Sequence, residues 1–202
     1  MGPDPRADCA RSRDPGHNAR ARRRSANLLR ARPDACGARP AEQLDVGVLL
    51  HDLFIAPRIK CHLEAEDKAE VFEELVDLLV TQYKTDHRDQ ILDAIRRREE
   101  KMSTGIKKGI AIPHAKTGFT QGVVGVLGIS DHGIDYESLD GEPVRILFLL
   151  VSSEEDAGTH LAVLKKIALL VENEGFARDV LGAGSPERVS RIIARYEGML
   201  DA

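Results

Sequence analysis

The sequence predicts an α/β sandwich, a mixed sheet with helices laid against it. Short apolar runs of strand length recur at "GIAIP" (109–113), "GVVGVLGIS" (122–130) and Val144–Val151. Longer segments with apolar residues at helical spacing separate them, and strands interleaved with helices need both sheet and helix layers to bury their faces. Composition agrees: 42% hydrophobic and 31% charged residues in 202 describe one ordinary globular domain with room for a core.

From the N-terminal side, residues 1–43 are expected to be a disordered tail and 44–202 the folded domain. The first forty residues hold ten Arg, four Asp and five of the nine prolines, with Leu28-Leu29 as their one apolar pair. Such a segment cannot bury enough surface to offset its ordering entropy. An arginine-rich arm for nucleic acid, a transit peptide, or an over-extended start upstream of Val46 or Val48 would each account for it. The other 162 residues carry 19 basic and 29 acidic side chains, a net charge of −10. An acidic body does not attract nucleic acid, so none is expected as a partner of the domain; a basic protein is the better match. Three scattered cysteines, Cys9, Cys36 and Cys61, form no CxxC pair, which fits a reducing compartment and a cytoplasmic location. The longest apolar run, "ILFLLV" (146–151), is far too short to span a membrane.

Within the domain, a short strand is expected at Ile59–Leu63. Val71, Leu75, Leu78 and Leu79 then line one face of a helix. Asp86 reads as the N-cap of a second helix, with Ile91, Leu92 and Ile95 inward and basic residues at its negative end. The strands 109–113 and 122–130 follow. An Asp140-Gly141 turn leads into the fully apolar strand 144–151, the pattern of a strand covered on both faces. A long helix is expected from about Thr159 with Leu161, Leu164, Ala168 and Val171 on its buried face. Ser185 and Pro186 mark the start of the last helix, as N-cap and first helical residue.

Chemistry concentrates around one of seven histidines. His17 lies in the tail, His87 at a polar helix start, His132 in a loop, and His51 and His62 at the flanks of apolar segments. His114 follows Ile112-Pro113, where the proline fixes its own φ and holds Ile112 extended, so the chain leaves the strand in a set direction. His160 falls in the first turn of its helix if Thr159 is the cap, and that end of a helix favours an anion. Arg98 stands sixteen residues before His114, with Ser103 and Thr104 between them. A guanidinium offers a planar fork for phosphate oxygens and hydroxyls can donate to the same atoms. Singly, each reads more readily as a strand-end turn, a surface histidine or a solvated arginine.

Together, "REEKMSTGIKKGIAIPHAK" and, forty-six residues past its histidine, "GTHLAVL" carry a resemblance. With the opening "LLHDLFIAPRIKCHLEAEDKAEVFEELVDLL", the region from about Leu49 to Arg195 resembles the enzyme IIA domain of the fructose/mannitol class of the phosphoenolpyruvate-dependent phosphotransferase system. It is most similar to the nitrogen-regulatory branch, whose members stand alone as single domains. The resemblance implies a mixed, mainly parallel five-stranded sheet sandwiched by helices. It implies His114 as phosphoryl acceptor through Nε2, His160 as the second histidine at the phosphoryl group, and Arg98 as a phosphate-binding residue supported by Ser103 and Thr104. Nδ1–H of His114 would be held by an acceptor that the sequence leaves unnamed, and His160 would serve either protonated or as a neutral donor. Lys107 and Ala115 stand where the family often has glycine.

The expected function is therefore a phosphoryl carrier. It would take the group from an HPr-type phosphocarrier protein and regulate a partner by its phosphorylation state, with no cofactor and no metal. The alternative is a sugar-uptake component handing the group to a IIB protein. No fused IIB or IIC segment accompanies the domain, which leans towards regulation. Other classes fit less well: there is no GxSxG, HExxH, cysteine cluster or Walker loop. A metal hydrolase recruiting His114, His132 and His160 with Asp131 or Asp135 ranks below these.

Overall fold

A computed structural model describes residues 47–200. The expected tail at 1–43, and every reading of it, lies outside them. Helices α1 (Leu50–Leu53), α2 (Lys68–Tyr83), α3 (Arg88–Glu99), α4 (Ala157–Glu172), α5 (Glu174–Leu181) and α6 (Pro186–Leu200) enclose a six-stranded sheet. Its strands are β1 (Ile59–Cys61), β2 (Gly105–Lys107), β3 (Ile110–Ala111), β4 (His114–Lys116), β5 (Val123–Ile134) and β6 (Val144–Ser152).

β6 organises the sheet. It pairs antiparallel with β5 on one side and parallel with both β3 and β4 on the other. β1 adds parallel to β5, and β2 antiparallel to β3. Parallel pairings therefore outnumber antiparallel ones, although the longest ladder, β5 with β6, is antiparallel. Ile110 sits opposite Ile146 and His114 opposite Leu150, so β3 and β4 hold one register along β6. They are a single strand position broken at Ile112-Pro113. Six strands thus occupy the five positions expected. The break has a local cause: Pro113 accepts from Leu150 N–H at 2.9 Å but has no N–H to return to β6.

Alternation along β6 separates two apolar layers. Ile146, Phe148 and Leu150 pack with Leu50, Phe54, Ile167, Phe176 and Ile193. Leu147, Leu149 and Val151 pack with Val71, Leu75, Leu79 and Ile95. Helices α2 and α3 cover one face, and α1, α4, α5 and α6 the other. A strand buried on both faces must read as continuously apolar, which is why 144–151 was legible.

Four expectations shift. α3 begins after His87 rather than Asp86, and no side chain caps it. β1 stops at Cys61 because His62 adopts φ 62°, which ends extended pairing. α4 begins at Ala157 with Asp156 as its N-cap residue, not at Thr159. Its buried stripe is His160, Val163, Ile167, Leu170 and Val171, whereas Leu161 is 65% exposed. Of the expected positions Val171 is buried and Leu164 packs against the core, while Leu161 and Ala168 face outward, so the inward face is rotated from the one expected.

The hairpin joining β2 to β3 turns at Lys108 and Gly109, both at positive φ (58° and 69°), as a tight two-residue turn demands. The left-handed conformation strains Lys108, and the Asp140 carboxylate holds its N–H at 3.0 Å. Replacing Lys108 by Gly should therefore raise the unfolding free energy by about 0.5–1 kcal/mol, read as a higher urea midpoint at unchanged slope.

Candidate active site

His114 opens β4 just past the Pro113 break, half-buried at the carboxyl end of the β3/β4 position. Its Nδ1 lies 2.8 Å from the carbonyl oxygen of Ile112. A carbonyl only accepts, so Nδ1 carries the ring proton and Nε2 carries the lone pair. This identifies the acceptor that the sequence left unnamed, a backbone oxygen two residues upstream. Arg98, in the last turn of α3, donates from Nε to that lone pair at 3.1 Å and from Nη1 to the Met102 carbonyl at 3.1 Å. Burial lowers the pKa of His114 from its ordinary value. The Ile112 hydrogen bond opposes that shift, and the Arg98 charge adds to it. The ring is neutral at neutral pH.

His160 projects from α4 and is 4% exposed, with its ring centroid 5.5 Å from that of His114. Its backbone N–H is already committed to Asp156 O at 2.9 Å, so the residue offers its ring and not a free amide. Burial first, then the neighbouring His114 and Lys116, push its pKa down to about 4. Of the two expected forms, protonated or neutral donor, the neutral one is therefore the form present near pH 7. Its Nδ1 is 2.8 Å from the hydroxyl of Ser152, a fully buried residue at the end of β6. If Ser152 donates to Nδ1, Nε2 of His160 carries a proton. If the hydroxyl turns to the Ser153 carbonyl, 3.2 Å away, the tautomer reverses.

Ser103 and Thr104 sit in the α3–β2 connection, and neither touches His114. The Ser103 hydroxyl accepts from Gly105 N–H at 3.3 Å. Thr104 is buried, with its hydroxyl 2.6 Å from Glu99 and 2.9 Å from the Tyr136 hydroxyl. Thr104 is thus engaged in holding the connection. Its partner Glu99, which the sequence reading passed over, is 8% exposed. Both of its carboxylate oxygens accept from Thr104 N–H at 3.1 Å, and Lys68 Nζ stands 3.4 Å away. This clamp fixes the turn that presents the Met102 carbonyl to Arg98. One signal was available: an acid at the negative end of α3 is electrostatically misplaced and needs another reason to be there.

Lys116, two residues along β4 and so on the same side as His114, is exposed and lowers the basicity of both imidazoles. The weaker metal-site reading finds no such grouping: His132 is exposed on β5, and Asp131 pairs with His62 at 2.5 Å. Among the described residues no group of three or more His, Cys, Asp or Glu converges to hold a metal. His51, expected at the flank of an apolar segment, bonds through Nδ1 to the buried Glu197 at 2.7 Å. No described helix is long and apolar enough to cross a membrane.

The domain is thus a sheet covered by helices on both faces, with two imidazoles and a guanidinium gathered around the start of β4. Residues 53–196 match the family model described as "Phosphoenolpyruvate-dependent sugar phosphotransferase system, EIIA 2", and the chain belongs to that family. It is 36% identical over 146 residues to the fructose-specific EIIABC component of Bacillus subtilis, covering 72% of this chain and 23% of that protein. It is 36% identical over 112 residues to the nitrogen regulatory protein of Escherichia coli K12, covering 55% of this chain and 69% of the relative. The solved nitrogen regulatory protein IIA-Ntr of Neisseria meningitidis superposes with TM-score 0.67 at 26% identity, covering 71% of this chain and 98% of that one. Relatives of both the sugar-specific and the nitrogen-regulatory kind are thus present.

The depressed pKa of His160 couples to stability. The unfolded chain takes up this proton near pH 6.5 and the folded one only near 4, so stability is complete above 6.5 and falls as pH drops through that window. The loss should approach roughly 3 kcal/mol by pH 4. In a His160→Gln variant, the part of the slope between pH 6.5 and 4 that belongs to this ring should vanish.

Proposed function

We propose that Nε2 of His114 accepts a phosphoryl group from the phosphohistidine of an HPr-type phosphocarrier, and that the phosphorylation state of the domain regulates a partner protein. The observation that carries this reading is the Nδ1–H bond to the Ile112 carbonyl, which leaves Nε2 as the nucleophilic atom of a neutral ring. The donor N–P bond breaks as the new Nε2–P bond forms in line, and the donor imidazole leaves with the electron pair. Positive charge grows on the His114 ring, and its Nδ1–H donates more strongly to the Ile112 oxygen.

Arg98 then has two positions. At rest it donates to the nucleophile's lone pair; during transfer that bond must give way, and the guanidinium is adjacent to the incoming oxygens. The transferred group is metaphosphate-like, so positioning and charge do most of the work, and Arg98 and Lys116 supply the cations. His160 serves as a neutral donor: Ser152 gives its proton to Nδ1, and Nε2–H of His160 reaches a phosphoryl oxygen. Ser103 is a candidate oxygen contact on the connection, while Thr104 acts with Glu99 to position Arg98. The products and reactants are phosphorus bound to similar nitrogens, so the step is close to balanced and reversible. The phosphorylated domain gains about −1.5 to −2 charges beside its exposed surface, a change large enough to switch a partner's affinity.

The sugar-uptake reading has its own support in the similarity to fructose-specific components, which holds over 146 residues for the Bacillus protein. There, phospho-His114 would pass its group to a IIB protein. In both readings the chain works in the cytoplasm and needs no cofactor.

Labelled phosphoenolpyruvate, enzyme I and HPr supply the test. Wild-type protein should take up acid-labile, alkali-stable label, and His114→Ala none. Arg98→Ala should slow uptake about a hundred- to a thousandfold, the usual cost of one well-placed charge-stabilising donor. Label retained by His114→Ala would refute the site. Discharge onto a IIB protein of the same cell would decide for sugar transport over regulation.

A further inference from the structure

A groove between α5 and α6 holds four guanidiniums against a single carboxylate. Arg188, Arg191 and Arg195 lie at i, i+3 and i+7 on α6 and form one stripe, which Arg178 of α5 joins across the groove. Asp179 is the one acid in the lining, and it is already engaged. Its Oδ2 accepts from Arg195 at 2.5 Å and from the Tyr196 hydroxyl at 2.9 Å, and Arg178 Nε stands 3.4 Å from Oδ1. Arg188 and Arg191 are exposed, and neither is paired with a carboxylate among the described residues. The groove therefore carries a local charge of +3 on a body, residues 41–202, whose net charge is −10. Like charges gathered against the sign of their own surface are unfavourable until an anion joins them.

We propose that this groove is a binding site for a short oligophosphate, a di- or triphosphate chain. The stripe from Arg188 to Arg195 rises about 10 Å along α6, more than one phosphate can bridge and well matched to a chain of them. Each guanidinium is a planar fork suited to two oxygens of one phosphate. The rest of the lining is Gly182 and Ile192, with no aromatic ring on which a base could stack. Single-stranded nucleic acid uses such rings, and the acidic body repels a long polyanion, so the phosphate chain itself is what the groove recognises. No residue of the groove belongs to the His114 site, so the two proposals stand or fall separately.

Calorimetric titration of the full chain with sodium triphosphate, pyrophosphate and orthophosphate at about 50 mM salt tests this. Triphosphate should bind one to one and at least about tenfold tighter than orthophosphate. Arg188→Ala/Arg191→Ala should weaken it by at least about tenfold, the worth of one lost charge-assisted hydrogen bond. The charge-matched control Lys84→Ala/Lys165→Ala, exposed on other elements, should leave it unchanged. Absence of saturable binding, or equal weakening in both double variants, would overturn the proposal. So would tighter binding of a single-stranded oligonucleotide of equal charge.

Discussion

One hydrogen bond fixes the tautomer at the candidate site: Nδ1–H of His114 to the carbonyl of Ile112, 2.8 Å long and closed within three consecutive residues. The residue between the partners is Pro113, which has one soft dihedral fewer than any other residue. The ring and its acceptor are therefore positioned by the same short piece of backbone. A hydrogen bond of this kind contributes about 1 kcal/mol, enough to favour one tautomer several-fold without any side-chain partner. The sheet supplies the rest of the constraint. Pro113 O is bonded to Leu150 N–H, and Ile112 N–H donates to Thr104 O at 3.0 Å, so the segment is pinned from both sides.

Around that fixed imidazole, burial and nearby cations favour a neutral ring. Both rings are held uncharged by burial, and Arg98 and Lys116 are the cations nearest them. Under the proposed function, adding a phosphoryl dianion would reverse the local balance, and Arg98 and Lys116 would become its counter-ions. The supporting frame is buried and apolar to one side, while the Glu99–Thr104–Tyr136 cluster keeps the Arg98-bearing helix end in place. Its members satisfy one another, which explains why a hydroxyl, a phenol and a carboxylate can share an otherwise apolar layer.

How much of this the sequence disclosed depends on how local each feature is. β6 was legible because burial on both faces forces an unbroken apolar run, and α6 because Ser185-Pro186 is a start signal contained in two residues. The residues of the pocket were legible through a motif, and the structure brings Arg98, His114 and His160 together. The buried face of α4 was legible only in part: Leu164 and Val171 do meet the core, but Leu161 and Leu169 are exposed leucines that blur the edge of the apolar stripe. Glu99 and Tyr136 meet across 37 residues, a pairing that no local pattern encodes. The Ile112 oxygen was invisible for a different reason: every residue has a carbonyl, and only the fold says which one faces the ring.

The most direct measurement of the central assignment is nitrogen-15 NMR of the imidazole of His114 before and after phosphorylation. In the free protein the ring should be neutral and protonated at Nδ1, and in the phosphorylated one phosphorus should couple to Nε2 with Nδ1–H retained. Phosphorus coupled to Nδ1, or a resting ring protonated at Nε2, would contradict it.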